Sequence, residues 1–205
     1  MTNIAAPSFD VLVIAENMSA TVGGVTEPEI YIFAYLACLL SLYDGKGVSL
    51  LSYEFTATQA GAPYSKSLSD GSDLLVAGGL LKQGEDVLEL TPRGRVEMNL
   101  LGSLSGYDVR RTYLSAACDC ALTIPLASIR EVLGQEPQLR SAIELMQTRP
   151  LLDEAGMALL RPHLDGLREV LAESGQYGVD RDLLVPAVLW LTYLGGEAKK
   201  GTVDV

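Results

Sequence analysis

Histidine and cysteine are nearly missing from this chain of 205 residues, which holds one histidine, His163, and three cysteines, Cys38, Cys118 and Cys120. A hydrolase of the Ser-His-Asp or Cys-His kind needs a base, so a single histidine leaves little room for one. His163 stands in Arg161-Pro162-His163-Leu164-Asp165, beside an apolar seam. It reads first as a half-buried helix residue satisfied by a hydrogen bond. An odd number of cysteines without regular spacing excludes the disulfide framework of a small secreted domain and suits a reducing cytoplasm. Cys118-Asp119-Cys120 falls short of the four ligands that structural zinc takes, and on a helix the two thiols point about 200° apart. Small core residues are the expectation for all three.

Basic residues are scarce too. There are 15 Lys and Arg against 26 Asp and Glu, a net charge of −11. Phosphate backbones are bound chiefly through Lys and Arg, so free nucleic acid is a poor partner for the isolated chain. Long apolar runs are also lacking. The longest, Ile30 to Leu42, is bounded by Glu29 and Asp44 and falls short of the roughly 20 residues that cross a bilayer. It predicts a buried helix. No basic region followed by a sufficient apolar run opens the sequence, so no signal peptide and no membrane contact are expected, and the location expected is the cytoplasm. The glycine pairs at 23–24 and 78–79 and the Gly45-Lys46-Gly47 triplet match neither a Walker loop nor a dinucleotide fingerprint and read as turns. No catalytic, cofactor-binding or metal-ligating residue emerges, and the chain is not expected to be an enzyme.

What is present is a sequence 48% hydrophobic, ample for a core, with punctuated helical patterns. Residues 1–25 carry a short strand-like run, Val11 to Ile14, and a Ser/Thr/Gly loop, which together predict an N-terminal arm. Thr26-Glu27-Pro28-Glu29 is a capping box that starts a helix over about 28–43. A second helix follows Ala62-Pro63-Tyr64-Ser65 and stops at Gly78-Gly79. Leu80 to Gln83 and Val87 to Leu90, around Gly84-Glu85-Asp86, predict a hairpin. Thr91-Pro92 opens a further helix whose Val96, Leu100 and Leu104 are spaced for burial. The remainder predicts short helices: Val109, Tyr113, Ala116 and Cys120 on one face of the first, then Leu126, Ile129 and Leu133, then Leu139, Ile143 and Met146 up to Pro150. Met157, Leu160, Leu164, Leu167 and Leu171 form a seam that Pro162 must kink or split. Asp180 caps the last helix, with Leu184, Val188 and Leu191 inward, and residues 197–205 are a polar tail. The fold class expected is mainly α (α+β). Its divisions are the arm (1–25), a domain with the two-stranded hairpin (26–105), a helical domain (106–196) and the tail (197–205).

The order helix, short segment, helix, hairpin, helix over residues 28–104 is that of a winged-helix domain. The residues add to it: Ala62-Pro63-Tyr64-Ser65, Gly79-Leu80-Leu81 and Leu88-Glu89-Leu90-Thr91-Pro92-Arg93-Gly94 resemble the "GPYS", "GLI" and "Y-x-LT-x-x-G" pattern of bacterial winged-helix proteins. Gly61-Ala62-Pro63 departs from the start of that pattern, and Leu88 stands where an aromatic is usual. The match spans about a third of the chain. It implies that the helix after Ser65 would face a DNA major groove, with Lys66, Asp70 and Asp73 away from its buried side. Over residues 1–105 five basic side chains oppose twelve acidic ones, a net of −7. A docking module for protein is therefore expected more than a reader of DNA. Such a module resembles the acidic or neutral winged-helix domains by which accessory subunits of chromosome-maintenance ATPase complexes bind protein partners; in size, acidity and layout the chain also resembles, more loosely, the middle components of bacterial three-part ATPase systems of phage defence, which are encoded beside an SMC-like or Rad50-like ATPase. That implies a non-catalytic accessory subunit whose partner is a larger ATPase or effector, or another copy of itself. The alternative is a winged-helix transcriptional regulator or antitoxin that binds DNA. Tyr177, Trp190 and Tyr193 are candidate interface anchors, because large rings bury much area at little entropic cost. The doublet Arg110-Arg111 is a candidate for contact with an acidic partner, against its plain reading as a solvated helix face.

Overall fold

The run from Ile30 to Leu42 forms a helix that water does not reach. In a computed structural model, which describes residues 4–51, 53–173 and 183–201, this helix, α2 (Glu27–Tyr43), is buried at every position from Glu29 to Tyr43. Its capping box closes as expected: the Glu29 carboxylate accepts from the Thr26 backbone N–H at 2.7 Å, and Pro28 sits in the first turn. Chain on both sides of it in sequence covers it. α1 (Ala5–Val22) precedes it, and α5 (Tyr107–Asp119) and α9 (Leu184–Gly201) come from the second half of the sequence.

α1 corrects the expectation of an arm with a strand-like run. Val11 to Ile14 lie inside an 18-residue helix that is buried without a break from Pro7 to Ala15. A helix enclosed all round shows no 3.6-residue period, and four apolar residues, two of them valine, then look the same as a strand. The enclosure also buries Asp10, which is 0% exposed. Its partner is Arg110 of α5, which corrects the reading of Arg110 as a solvated residue. The guanidinium donates through Nε to Asp10 Oδ1 at 3.0 Å and through Nη2 to Oδ2. It also donates to the Leu50 carbonyl and to the Tyr53 hydroxyl, the latter at 3.1 Å. Burial pushes the Asp10 carboxyl up, and Arg110 pulls it back. Arg111, next in sequence, stays at the surface, 3.6 Å from Glu16 of α1.

A 3₁₀ turn (Val48–Leu51) leads from α2 to β1 (Phe55–Ala57), a strand absent from the sequence expectation. β1 is the centre of a three-stranded antiparallel sheet, between β2 (Pro63–Tyr64) and β5 (Arg149–Leu151). Thr56 stands opposite Tyr64 on one side and Pro150 on the other. α3 (Lys66–Ala77) follows, then the expected hairpin, β3 (Leu81–Gln83) and β4 (Leu88–Leu90), with Leu81 opposite Leu90. Val25, between α1 and α2, adds a bridge to Leu88.

α4 (Pro92–Gly102) starts at Thr91, whose hydroxyl accepts from the Gly94 amide at 3.0 Å. The face of α4 turned inward is Gly94 and Met98, and the expected burial of Val96, Leu100 and Leu104 is overturned: they are 61%, 60% and 51% exposed. Gly94 explains the rotation. A Cβ there would lie 2.1 Å from the Leu80 carbonyl oxygen, so the backbone itself packs against the hairpin.

Beyond α5 come a 3₁₀ turn (Cys120–Leu122), α6 (Leu126–Leu133), α7 (Pro137–Leu145) and α8 (Glu154–Glu173). Ile129, Leu133 and Leu139 are buried as expected, while Ile143 and Met146 are 41% and 75% exposed and so do not serve the core. Pro162 sits within α8 without ending it. The helix predicted at the C-terminal end runs on as α9 through Gly201, past the start of the expected polar tail. Two arginines fasten these helices to α2. Arg130 of α6 bonds Glu29 at 2.8 Å, and Arg168 of α8 donates to the carbonyls of Leu42 and Tyr43 at 2.7 and 2.6 Å, satisfying oxygens that the end of a helix leaves open. All three cysteines are buried and free.

Removing one member of a buried ion pair strands the other in the core, at a cost of about 3–5 kcal/mol. Arg110→Met is expected to lower stability in urea unfolding by that order. The double variant Asp10→Leu/Arg110→Met should recover part of the loss, and not all, because the Leu50 carbonyl and the Tyr53 hydroxyl oxygen both lose the donor that the guanidinium supplied. A single variant as stable as the wild type would show that the pair is not closed in the folded protein.

Candidate docking surfaces

Two concave surfaces lie among the described residues, one acidic and one apolar. The first is a cleft of about 280 Å³ between the start of α2, α3 and the hairpin. Its floor includes Pro28, Val76, Val87 and Leu88, and its charged rim is Glu27, Asp73, Glu85 and Asp86. No Lys or Arg lines it. Lys66, at the head of α3, is exposed but engaged, with its ammonium 2.7 Å from Asp70 one turn on. Glu27 accepts from the hydroxyls of Ser69, at 3.0 Å, and of Tyr31, and burial together with that carboxylate pushes the Tyr31 phenol above its usual range. Of Lys66, Asp70 and Asp73, expected away from the buried side of this helix, Asp73 lines the acidic cleft, and Lys66 and Asp70 pair with each other outside its lining.

The second surface is a groove of about 510 Å³ between α8 and α9. One wall is Pro162, His163, Gly166, Leu167 and Val170, and the other is Leu189, Trp190, Thr192 and Tyr193. Three rings meet in it. Trp190 and Tyr193 are 5.8 Å apart between centroids and tilted by 31°, and His163 lies 6.3 and 6.0 Å from them. His163 Nδ1 and the Tyr193 hydroxyl are 3.3 Å apart, which gives the groove one polar edge. Trp190 is 2% exposed, so it forms the base of the wall, and its indole N–H has no hydrogen-bond partner among the described residues. Tyr193, Val170 and Leu189 are 43%, 62% and 36% exposed and form the rim.

The structure therefore brings together Trp190 and Tyr193 of the sequence candidates and adds His163, Val170 and Leu189. Tyr177 lies outside the described residues. Arg110 is in the core, and Arg111 is on the α1 side with Glu16. The exposed row Val96, Leu100 and Leu104 on and after α4 is a further apolar surface, which its spacing alone assigned to the core. Among the described residues, no group of three or more His, Cys, Asp and Glu side chains is placed to hold a metal ion. No single helix among them is long and apolar enough to cross a membrane. No family model matches the chain, and neither a curated protein nor a solved structure matches it.

A rim of four carboxylates beside α3 and the hairpin repels phosphate. Titration of a short DNA duplex into the protein is expected to give only non-specific binding, about 10⁻⁴ M or weaker at physiological salt. Tight binding with a steep salt slope would locate a basic surface elsewhere and favour the reading as a regulator.

Proposed function

We propose that this chain is a non-catalytic adaptor: a winged-helix module joined to a helical platform, which holds a second protein through apolar surface. The groove between α8 and α9 carries the proposal. Its rim of Val170, Leu189 and Tyr193 is apolar or aromatic, its base is a tryptophan, and no described element covers it. Aromatic anchors at a concave apolar site are the residue types and the shape in which binding energy concentrates. The winged-helix reading draws support from α3, from the hairpin that follows it and from the Val25 bridge that extends the hairpin. The acidic cleft favours protein over DNA as what meets that module. Three buried, free thiols fit a reducing compartment. The resemblance to components of three-part ATPase systems supplies the class of partner proposed here, the larger ATPase or effector subunit.

The test pairs two measurements on the full chain. Co-purification from the native host is expected to bring down a second protein in constant proportion, and Val170→Asp should lose it. Sedimentation of the same variant should show a folded particle, since a side chain exposed to that degree contributes little to the core. A wild-type protein that sediments as a clean monomer and comes down alone would remove the physical basis of the adaptor reading. Retention of the partner by Val170→Asp would move the contact to another surface, with Val96, Leu100 and Leu104 next to be changed.

A further inference from the structure

We propose that the groove between α8 and α9 takes an amphipathic helix from a second protein, laid with its apolar face over Trp190 and with a row of Lys or Arg along α8. The inference rests on the adaptor reading and names the chemistry of what the groove receives. The walls decide the form of the occupant. They are apolar or aromatic except at one edge, where His163 and the Tyr193 hydroxyl face each other, and the Thr192 hydroxyl already donates to the Val188 carbonyl at 2.8 Å. An extended segment laid there would press N–H and C=O groups against walls that offer partners at that edge alone. A helix brings a backbone bonded within itself. It also suits the dimensions. From Pro162 to Val170 the α8 wall is roughly 12 Å long at a rise of about 1.5 Å per residue, which matches the i, i+3 or i+4, and i+7 anchors of a docked helix. Gly166 stands midway along that wall, and a Cβ there would have nothing within 4 Å, so the middle of the wall is open to an incoming side chain.

Charge decides which helix fits. Pro162, Gly166 and Val170 follow one another at four-residue steps along the α8 wall, and Asp165, Glu169 and Glu173 follow at the same steps, each three residues on. Residues three apart on a helix are neighbours, so an acidic row flanks the wall over its whole length. All three acidic residues are exposed. Arg168 is turned to the carbonyls of Leu42 and Tyr43 and to Asp165, and Glu169 and Glu173 are in no ion pair among the described residues.

The α9 wall differs, because Leu184 to Gly196 holds no charged residue. A docked helix therefore meets negative charge along one flank and none along the other. Lys or Arg on the first flank is attracted and Asp or Glu is repelled, and the net charge of −11 on the whole chain adds to both effects. A second copy of this chain that presented the same pair of helices would bring a second acidic row, where the first calls for a basic one.

Titration of dye-labelled synthetic peptides with the full chain, read by fluorescence anisotropy, tests the proposal. The probe is a peptide of about 18 residues, long enough to hold a helix, with Leu at i, i+3, i+4 and i+7 and Lys along one flank. Its counterpart carries Glu in place of each Lys. At low ionic strength the wild type is expected to bind the lysine peptide and not the glutamate peptide, and Val170→Asp should abolish the binding. Glu169→Lys/Glu173→Lys should weaken the lysine peptide about tenfold and admit the glutamate peptide. Glu54→Lys/Glu131→Lys changes the net charge equally at exposed residues of other elements, and should leave the lysine peptide within about twofold of the wild type. Three results overturn the proposal: a lysine peptide that does not bind the wild type, an equal loss in the two charge variants, and a wild-type dimer that Val170→Asp splits, which would place a second copy in the groove. The adaptor reading fails separately. A host protein that Val170→Asp loses, with no peptide bound, upholds that reading and overturns this proposal, whereas peptide binding with no host partner supports the chemistry of the groove and removes the adaptor.

Discussion

Everything in this fold is arranged around a helix with no polar side. α2 is buried from Glu29 to Tyr43, and a helix of that kind cannot be placed at a surface. Chain must lie on all sides of it, and its peptide groups at both ends must find partners in protein rather than in water. Both ends are answered by arginines far along the sequence. Arg130 meets the capping carboxylate of Glu29, and Arg168 meets the carbonyls of Leu42 and Tyr43, with its guanidinium also 5.7 Å from the Tyr43 ring. The same demand explains Asp10 and Arg110: with α1 also enclosed, a charge on it is tolerable only with its counter-charge brought in by α5.

The parts of the fold that sequence reveals are those with local chemistry. The capping box at Thr26 and Glu29, the Thr91-Pro92 helix start and the hairpin around Gly84 depend on neighbours within a few residues, and all three stand in the structure. What sequence conceals is set by distant contact. Val11 to Ile14 carry no period because water reaches no side of α1 over Pro7 to Ala15. Val96, Leu100 and Leu104 have the spacing of a buried stripe, yet α4 turns its glycine face inward, and a glycine that enables close approach adds nothing to a hydrophobic pattern. β1 and β5 are three residues each and find one another across about ninety residues of chain, too short and too remote for alternation to register.

The surfaces divide in the same way. Trp190 and Tyr193 were visible as candidates by residue type alone. The groove they share was not, because it needs α8 to pass alongside α9, and His163 joins it from the other helix. Its single polar edge, the contact between His163 and the Tyr193 hydroxyl, comes from the one histidine that the sequence offered no task. Arg110 shows the opposite error. Its type and its doublet suggested the surface, and only the burial of Asp10, one hundred residues away, explains why it lies inside.

The enclosure of α1 and α2 also bears on how the chain is made. Their covering partners emerge late: Arg110 follows Asp10 by 100 residues, Arg130 follows Glu29 by 101, and Arg168 follows Leu42 by 126. At synthesis rates of roughly 5–20 residues per second, the two most apolar helices leave the ribosome about 5–25 s before the segments that shield them exist. Over that interval they are a sticky nascent segment without a core. Until α5 and α8 are translated, the faces of α1 and α2 that these helices later cover have no partner within the chain.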